Sequence, residues 1–232
     1  MSHIDPQLVA AAVESVRRRI RVHAGDRHVE LIAVTKGFGV DAIQAGVAAG
    51  CRSIGENYAQ ELRDKIDALR VLNGEAEVTS SPVIPQVHFI GQLQRNKVRT
   101  IIACVDVWQS VDRSSLADEI AHRAPGATVF VQVNTTDEAS KGGCAPADAE
   151  ALVAHCGALD LNVVGLMTVG PTNGDTALTR AAFHQLRSRA DDLGLAFCSM
   201  GMSGDLEIAL EQGATHIRIG SALFGERPQR RP

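Results

Sequence analysis

The sequence predicts an α/β fold: a single (β/α)8 TIM barrel spanning residues 1–232, with an extra N-terminal helix. Short β-rich runs alternate with amphipathic helical segments along the chain, and eight such runs can be counted. Hydrophobic residues make up 45% of the chain but aromatic residues only 3%, so the core must consist of Ala, Val, Leu and Ile. That composition is typical of helices packed on a parallel sheet. An open doubly wound sheet is the alternative.

The elements follow in order from this pattern. Residues 5–22 predict a helix, because Asp5 can cap it and Pro6 suits a first turn. Strands are predicted at 28–34, 52–55, 86–91, 105–111, 128–134, 161–169, 195–200 and 215–220. Helical segments are predicted near 40–50, 56–72, 94–103, 113–123, 146–157, 176–193 and 204–213, and "SALFGER" (221–227) begins an eighth. The stretch 73–85 has turn residues and little periodicity, which indicates a surface loop.

Composition and charge exclude several classes of protein. The formal net charge is −4, and the one basic run, Arg17 to Arg21, lies on a predicted helix as a solvated face, so no nucleic-acid partner is expected. Five scattered cysteines without CxxC spacing predict free thiols and a cytoplasmic location. No stretch of 18 apolar residues occurs, so no membrane segment is expected. The eight histidines show no metal-binding spacing, so no metal site is expected.

A lysine follows the first predicted strand, in "LIAVTKGFGV" (31–40). In a barrel of this class the chemistry lies at the carboxyl ends of the strands. Burial there lowers the pKa of an amine and makes it nucleophilic, which is the requirement for a Schiff base with an aldehyde or ketone. Lys36 is therefore a candidate covalent residue. The alternative is a strand-end lysine whose ammonium group reaches solvent.

The last two strands end in loops that suit a phosphate. In "SMGMSGD" (199–205), Ser203 can cap a helix beginning near Gly204, and free N–H groups there attract an anion. In "RIGS" (218–221), Gly220 permits close backbone approach. Barrels frequently bind phosphate with the loops after strands seven and eight. For either loop alone, an ordinary turn is the alternative.

A lysine facing a phosphate site suggests a phosphorylated aldehyde, and pyridoxal 5′-phosphate (PLP) is the obvious candidate. Arg218 then has a role, because an arginine facing the pyridine nitrogen does not readily give up its proton. The ring nitrogen would stay unprotonated and the cofactor would be a poorer electron sink. A surface ion pair is the alternative for Arg218.

Two other motif matches are weaker. "GFGVDA" (37–42) fits a dinucleotide fingerprint after a strand, but it leaves Lys36 and both C-terminal loops unexplained. "GMSGD" (201–205) approaches a nucleophile elbow, but Asp205 replaces its last glycine and no histidine is placed as a base.

The chain resembles the pyridoxal phosphate homeostasis proteins, also described as proline-synthetase co-transcribed proteins. These resemble the barrel domain of bacterial alanine racemase, a fold-type III arrangement. The matching stretches cover nearly the whole chain: "AVTK" (33–36), "GENYAQE" (55–61), "HFIGQLQRNKV" (88–98), "VQVN" (131–134), "KGG" (141–143), "GLM" (165–167), "SMGMSGDLEIAL" (199–210) and "THIRIGSALFG" (215–225). "GFG" after Lys36 and the length of the 73–85 loop depart from the family pattern.

The resemblance implies roles by position. Lys36 matches the Schiff-base lysine, and Arg218 matches the arginine that faces the ring nitrogen. The phosphate would be held by Ser203, Gly220 and Ser221. Asn57, in the "GEN" element, is similar to a residue lining the cofactor pocket. The "HFIGQLQRNK" segment carries His88 and Lys97, for which effects on cofactor exchange or a partner, or simple packing, are all open.

The resemblance implies a cytoplasmic protein that binds PLP and influences its supply, without robust catalysis. It would limit free aldehyde and deliver the cofactor to apo-enzymes. The chain stops after the barrel, whereas alanine racemase has a second domain that supplies a tyrosine acid/base, and one such group contributes about 10²–10⁴-fold. Without that domain a monomer is expected. The alternatives are a small PLP-dependent racemase and a lysine-dependent aldolase with Glu56 as acid/base.

Overall fold

The computed structural model describes residues 4–75 and 85–227, and its first element is the predicted extra helix. Helix α1 spans Pro6–Ala24, and its N-cap Asp5 accepts a hydrogen bond from the Gln7 backbone N–H at 2.8 Å. Val9, Val13 and Val16 recur at helical spacing and are buried. This face packs α1 against the helices that follow the first, seventh and eighth strands.

The eight strands form the closed parallel barrel that the sequence predicts. They are β1 (Glu30–Val34), β2 (Ser53–Glu56), β3 (Gln86–Phe89), β4 (Val107–Val111), β5 (Thr128–Gln132), β6 (Asn162–Met167), β7 (Phe197–Ser199) and β8 (His216–Ile219). Each strand pairs with the next, and β8 closes the barrel on β1 through registers such as Ile32 with Arg218. Consequently, all eight carboxyl ends lie on one face of the barrel.

The helices surround the barrel. Those longer than eight residues are α1, α2 (Val40–Ala48), α3 (Ala59–Glu75), α5 (Ser114–Arg123), α6 (Ala149–Ala158) and α7 (Thr176–Asp192). The shorter ones are α4 (Val98–Ile101), α8 (Leu206–Glu211) and α9 (Ser221–Phe224).

Three helical boundaries differ from the prediction. The segment 94–103 is one turn of α-helix between the 3₁₀ turns Arg95–Lys97 and Ile102–Cys104. Helix α3 continues to Glu75, so the first part of the predicted 73–85 loop is helical, and residues 76–84 of that loop lie outside the described residues. Helix α9 is a single turn that ends at Gly225.

Most of the hydrophobic core lies between the strands and the helical layer, and a small second cluster of Val107, Phe130 and Met167 forms beside it. Polar side chains are also buried along the strands, notably His88, Gln109, Ser199 and Arg218. Because the helices cover the outer surface of a closed sheet, its strands read as nearly continuous buried runs rather than as alternating ones.

Within residues 4–75 and 85–227 no helix is both long and apolar enough to cross a bilayer. Within the same ranges no group of three or more His, Cys, Asp and Glu side chains is arranged to hold a metal ion.

Candidate functional site

A cavity of ≈470 Å³ opens at the carboxyl ends of the strands. Its volume lies in the range of small-molecule sites, roughly 300–1,000 Å³. Five of the six residues predicted from the sequence line it together: Lys36, Ser203, Arg218, Gly220 and Ser221. The structure therefore brings residues from β1, β8 and the loops after β7 and β8 to one place.

Lys36 supplies the amine of the cavity. It follows β1 and the fully buried Thr35, so its side chain starts at the barrel rim rather than on an exposed loop. Burial lowers the pKa of Lys36, and the positive charges of Arg227 and Arg218 lower it further, against the opposing effect of Glu56 and Glu61. A larger fraction of this amine is thus neutral at a given pH than for an exposed lysine.

A buried ionic cluster fixes the backbone on either side of Lys36. Lys65, on α3, donates at 2.7 Å to each of three oxygens: the Thr35 carbonyl, Glu56 Oε1 and Glu61 Oε1. The Thr35 hydroxyl donates to the same Glu56 oxygen at 2.6 Å, and the Gly37 N–H donates to Glu61 at 2.5 Å. Both neighbours of Lys36 are held in this way, so its Cα has little freedom to move.

The position of Glu56 does not suit the acid/base role that the aldolase alternative requires. It is fully buried beneath Thr35 and does not line the cavity. Burial raises its pKa, and Lys65 and the Thr35 hydroxyl oppose that rise. Its second oxygen, Oε2, has no hydrogen-bond partner among the described residues. Glu56 thus belongs to the ionic cluster that supports Lys36.

Ser203 reaches the cavity, but it does not cap α8 as the sequence predicted. Helix α8 begins at Leu206 with Asp205 as N-cap, and the Asp205 carboxylate accepts the Met202 N–H instead. Ser203 Oγ accepts the Ala222 N–H at 3.3 Å and the Ser221 hydroxyl at 3.2 Å. The serine caps the first turn of α9 from a neighbouring loop, which joins the two loops predicted to hold phosphate.

Two glycines allow close packing at the starts of these loops. A Cβ at Gly220 would lie 3.3 Å from the Val34 carbonyl oxygen, so β8 runs into α9 close to the end of β1. Gly201 has φ +95°, and a Cβ there would lie 2.4 Å from the Ala209 Cβ on α8. Its carbonyl accepts the Arg218 N–H at 3.0 Å, so the turn after β7 is tied to β8.

Arg218 lies on β8 and lines the cavity, and it is only 4% exposed. The surface ion pair considered as its alternative role is therefore not observed. Its Nη1 donates to Ser199 Oγ and its Nη2 to the Thr168 carbonyl, both at 2.7 Å. No carboxylate lies within ion-pair distance of it in the described part of the chain. Burial lowers the pKa of Arg218 to about 10, which leaves the guanidinium protonated at neutral pH.

Asn57 is the predicted residue that the structure does not bring to the cavity. It lines a neighbouring groove beside Tyr58 and Gln92, which lies after β2 and β3. Its backbone is fixed by Gly91, where a Cβ would lie 2.1 Å from the Asn57 carbonyl oxygen. Asn57 therefore follows its strand as expected but belongs to a different concave surface.

The two residues of the "HFIGQLQRNK" segment separate in space. His88 points into the barrel, where it is 1% exposed, whereas Lys97 is exposed in a 3₁₀ turn at the groove that contains Asn57. The sequence analysis missed the cavity residues Phe38, Ile90 and Arg227, and it missed the buried polar residues Gln109 and Ser199. Gln109 and Ser110 interrupt the apolar run of β4, which is the one signal that could have revealed an internal polar contact.

The donor set fits a phosphorylated aldehyde. Nζ of Lys36 has no hydrogen-bond or ion-pair partner among residues 4–75 and 85–227, so the amine is available. The hydroxyls of Ser203 and Ser221 and the small residues Gly204 and Gly220 supply hydrogen bonds and room for an anion. A third cationic side chain, Arg227, lines the same cavity as Lys36 and Arg218 and favours negative charge there.

Comparisons with known proteins place the chain in a family. Residues 9–228 match the family model described as the N-terminal domain of alanine racemase. The chain is 40% identical over 231 residues to the pyridoxal phosphate homeostasis protein of Pseudomonas aeruginosa, covering 94% of this chain and 96% of that protein.

Two solved structures extend the comparison. PipY of Synechococcus elongatus with PLP bound superposes with a TM-score of 0.79 at 32% identity, over 94% of this chain and all of that one. Alanine racemase of Clostridium difficile superposes with a TM-score of 0.71 at 13% identity, over 95% of this chain and 58% of the racemase. The second comparison concerns the fold alone.

Proposed function

The chain belongs to the family of pyridoxal phosphate homeostasis proteins, and from that premise we propose that it binds PLP in the cavity and acts in intracellular PLP homeostasis. One observation carries the proposal: an amine, two hydroxyl-bearing loops and a buried guanidinium line the same cavity. PLP presents an aldehyde, a phosphate and a pyridine nitrogen, so each group of the cofactor has a chemically suited counterpart.

Lys36 is the covalent residue of the proposal. Its Nζ condenses with the aldehyde carbon to form a Schiff base, and one water molecule is released. The reaction requires a neutral amine, and the lowered pKa of Lys36 supplies a larger neutral fraction. The ionic cluster of Lys65, Thr35, Glu56 and Glu61 holds the backbone from which this amine projects.

Ser203, Gly220 and Ser221 hold the phosphate. The hydroxyl groups donate hydrogen bonds to its oxygens, and the first turn of α9 presents backbone N–H groups that have no partner inside the helix. Lys36 and Arg227 add positive charge around the cavity. Ser203 already joins the loop after β7 to α9, so one hydroxyl belongs to both phosphate-binding loops.

Arg218 faces the pyridine nitrogen and limits catalysis. A guanidinium only donates hydrogen bonds, so the ring nitrogen must accept and stays unprotonated. An unprotonated ring withdraws electrons weakly, which makes carbanion chemistry on the cofactor slow. The sole tyrosine, Tyr58, lines the neighbouring groove instead of the cavity, so it is not placed as a second acid/base.

We therefore assign a carrier role rather than an enzymatic one. The protein limits the free aldehyde and delivers PLP to apo-enzymes that depend on it. It acts in the cytoplasm, in keeping with five cysteines that are all free thiols.

The test is borohydride reduction of the protein loaded with PLP, followed by peptide mass mapping of its four lysines. A reduced adduct on Lys36 is expected, with none in Lys36→Ala and an unchanged yield in Lys97→Ala, whose exposed lysine lies outside the cavity. Absence of an adduct on Lys36 of the wild-type protein at excess PLP would falsify the proposal.

Amino-acid turnover decides between carrier and enzyme. The loaded protein is incubated with single L-amino acids, and racemisation and transamination are followed by chiral chromatography. Negligible turnover is expected. Robust turnover that disappears in Lys36→Ala would instead establish a small PLP-dependent racemase or a related enzyme.

A further inference from the structure

Arg218 is the first member of a hydrogen-bond chain that crosses the interior of the barrel. Its Nη1 donates to Ser199 Oγ at 2.7 Å, and the Ser199 hydroxyl donates to Gln109 Oε1 at 2.7 Å. Gln109 Nε2 lies 2.7 Å from His88 Nδ1, and His88 Nε2 lies 3.0 Å from Gln86 Oε1. We call these five residues, on β8, β7, β4 and β3, the Arg218 chain.

The donors and acceptors of the Arg218 chain can be ordered in only one way, because the arginine at its start can only donate. A guanidinium has no acceptor, so Ser199 must accept a hydrogen bond from it and donate its own hydroxyl hydrogen bond to Gln109. The Gln109 oxygen is then occupied, and its amide can only donate to His88 Nδ1. His88 is thereby fixed as the neutral Nε2–H tautomer, and it donates to Gln86.

The last residue of the Arg218 chain can reorient its side chain, whereas the buried residues in the middle cannot. Gln86 is exposed at the start of β3, where its amide can turn to offer oxygen or nitrogen. Ser199 and Gln109 are fully buried, and His88 nearly so. Among the described residues, the guanidinium is therefore the group that determines which way these buried dipoles point.

The aligned dipoles take the place of a counter-ion. Arg218 is buried without a carboxylate in ion-pair distance among the described residues, and it also donates to the Thr168 carbonyl at 2.7 Å. Unpaired buried charge is costly, and hydrogen bonds in a low-dielectric interior polarise one another along a chain. Successive acceptors that face the cation lower that cost without neutralising its charge.

We propose that Ser199, Gln109 and His88 are positioning residues, which keep the Arg218 guanidinium charged and in one orientation at the cavity. None of the three lines the cavity, so they act through Arg218. The inference rests on the proposed function, because the guanidinium orientation matters for a ligand with an acceptor nitrogen. The first residue of the "HFIGQLQRNK" segment thereby acquires a role.

Ser199→Ala cuts the chain at the link next to Arg218, and Ser53→Ala is its matched control. Ser53 is likewise buried on a barrel strand, but its hydroxyl donates to Glu30. Gln109→Met cuts the next link and serves where Ser199→Ala does not fold. All three proteins and the wild type are compared without and with PLP.

The first readout uses the protein without PLP. Long-range ¹⁵N–¹H correlation spectra report the tautomer of His88, identified by its loss in His88→Gln. The wild type and Ser53→Ala are expected to show a single Nε2–H tautomer. In Ser199→Ala the Gln109 amide is free to turn, so a mixture of both tautomers is expected. The proposed hydrogen-bond order of the Arg218 chain is wrong if the wild type shows an Nδ1–H tautomer, or if Ser199→Ala keeps a single unchanged tautomer.

The second readout is the release of PLP to an excess of apo-enzyme that captures it, followed by absorbance. Ser199→Ala removes a hydrogen bond to the guanidinium, and Gln109→Met removes the bond that orients the Ser199 hydroxyl. Each is expected to speed release roughly three- to tenfold, whereas Ser53→Ala is not. Release from Ser199→Ala at the rate of the control overturns the positioning role. A wild-type protein that takes up no PLP overturns the proposed function, and the tautomer readout still decides whether the chain exists.

Discussion

Lys36 shares its cavity with a second flexible cation, Arg227. The arginine stem packs against the turn that follows Lys36, since a Cβ at Gly37 would lie 3.2 Å from Arg227 Cδ. After burial, the charge of Arg227 is the largest cause that lowers the pKa of Lys36. The arginine thus favours the neutral, nucleophilic form of the amine.

Arg227→Ala is expected to move the pH midpoint of Schiff-base formation to higher pH. Removing the positive charge lets the pKa of Lys36 rise, so the amine loses its proton only at higher pH. The shift is partial, because burial of Lys36 persists. The measurement is the initial rate of chromophore formation with PLP across a pH series.

The control for this series is Arg180→Ala, which removes an exposed arginine paired with Glu211 outside the cavity. Its midpoint should coincide with that of the wild type. A midpoint for Arg227→Ala at or below the wild-type value would contradict the electrostatic account.

At this scale the sequence predicts which residues meet but not how each one bonds. Lys36, Gly220 and Arg218 could be foreseen because parallel strands deliver their carboxyl ends to one face. The partners of Ser203 could not, since they depend on how closely two loops approach. Arg227 follows the last helical turn, and no pattern in the chain shows that it folds back over Gly37.

The β7–α8 turn links the cavity to the helical layer. Gly201 has φ +95° at its start, and its missing Cβ makes room for Ala209 of α8. Its carbonyl binds the Arg218 N–H, so a displaced turn also disturbs β8. The turn is therefore rigid for steric reasons, and this rigidity places Ser203.

Gly201→Ala is expected to destabilise the fold by about 1–3 kcal/mol from backbone strain alone, with more from the clash with Ala209. PLP should also bind more weakly, because Ser203 moves with the turn. Urea unfolding measures the first effect and absorbance titration the second.

Gly157→Ala is the control for this prediction, because alanine fits at that position. Gly157 lies exposed in α6 without a positive φ, and a Cβ there meets nothing within 4 Å. This variant should gain about 0.5–1 kcal/mol of stability. Equal and small effects of the two substitutions would show that the turn is not sterically fixed.

Helix α3 is anchored beneath Lys36 by a buried ion pair. Lys65 is 5% exposed and Glu56 is fully buried, and the two are 2.7 Å apart. Lys65→Met should cost about 3–5 kcal/mol, because an unpaired carboxylate is left in the interior. Glu56→Gln in the same chain should recover part of the loss, whereas Lys97→Met should change stability by less than about 0.5 kcal/mol.

The loss in Lys65→Met is expected to depend on pH. Burial already raises the pKa of Glu56, and removal of Lys65 raises it further. Between the ordinary and the raised pKa the native state binds more protons than the unfolded state, so stability falls as pH rises. Urea unfolding at about pH 5 and about pH 8 should therefore give the larger loss at the higher pH. A loss independent of pH would mean that Glu56 is not the group left unpaired.

The elements themselves are predicted well where the pattern is long. All eight strands and the amphipathic helix α1 fall at their expected places, because burial periodicity records them directly. The segment 94–103 is the exception. Its apolar spacing suits a helix, but the 3₁₀ turn at Arg95–Lys97 and the one at Ile102–Cys104 leave only four α-helical residues between them.

The barrel closes by pairing of its first and last strands, β1 and β8. Helix α1 packs against α2, α8 and α9, and so covers the seam where β8 meets β1. Lys36 and Arg218 come from the two sides of that seam. This long-range pairing could be predicted only from the count of βα units, because no local signal joins the ends of the chain.

A single chain is expected to be the functional unit. The large hydrophobic side chains exposed in the described structure come from several elements, namely α1, α3, α7, strand β7 and the loops after β2 and β7: Leu8, Val22, Tyr58, Val71, Leu72, Leu178, Phe197 and Met202. Singly exposed apolar residues are normal on monomers, whereas stable interfaces need a continuous patch.

Sedimentation velocity over a wide range of protein concentration should thus show one species with the mass of one chain, with and without PLP. Val71→Asp tests the adjacent exposed pair on α3, and it should leave the sedimentation coefficient unchanged. If the wild type instead sediments as a dimer, and Val71→Asp converts it to a monomer, α3 carries a self-association surface. Lys65, which holds the backbone beside Lys36, lies on the same helix, so self-association through α3 should make PLP uptake vary with protein concentration. A rate of PLP uptake that does not depend on protein concentration would confirm that the cavity works within one chain.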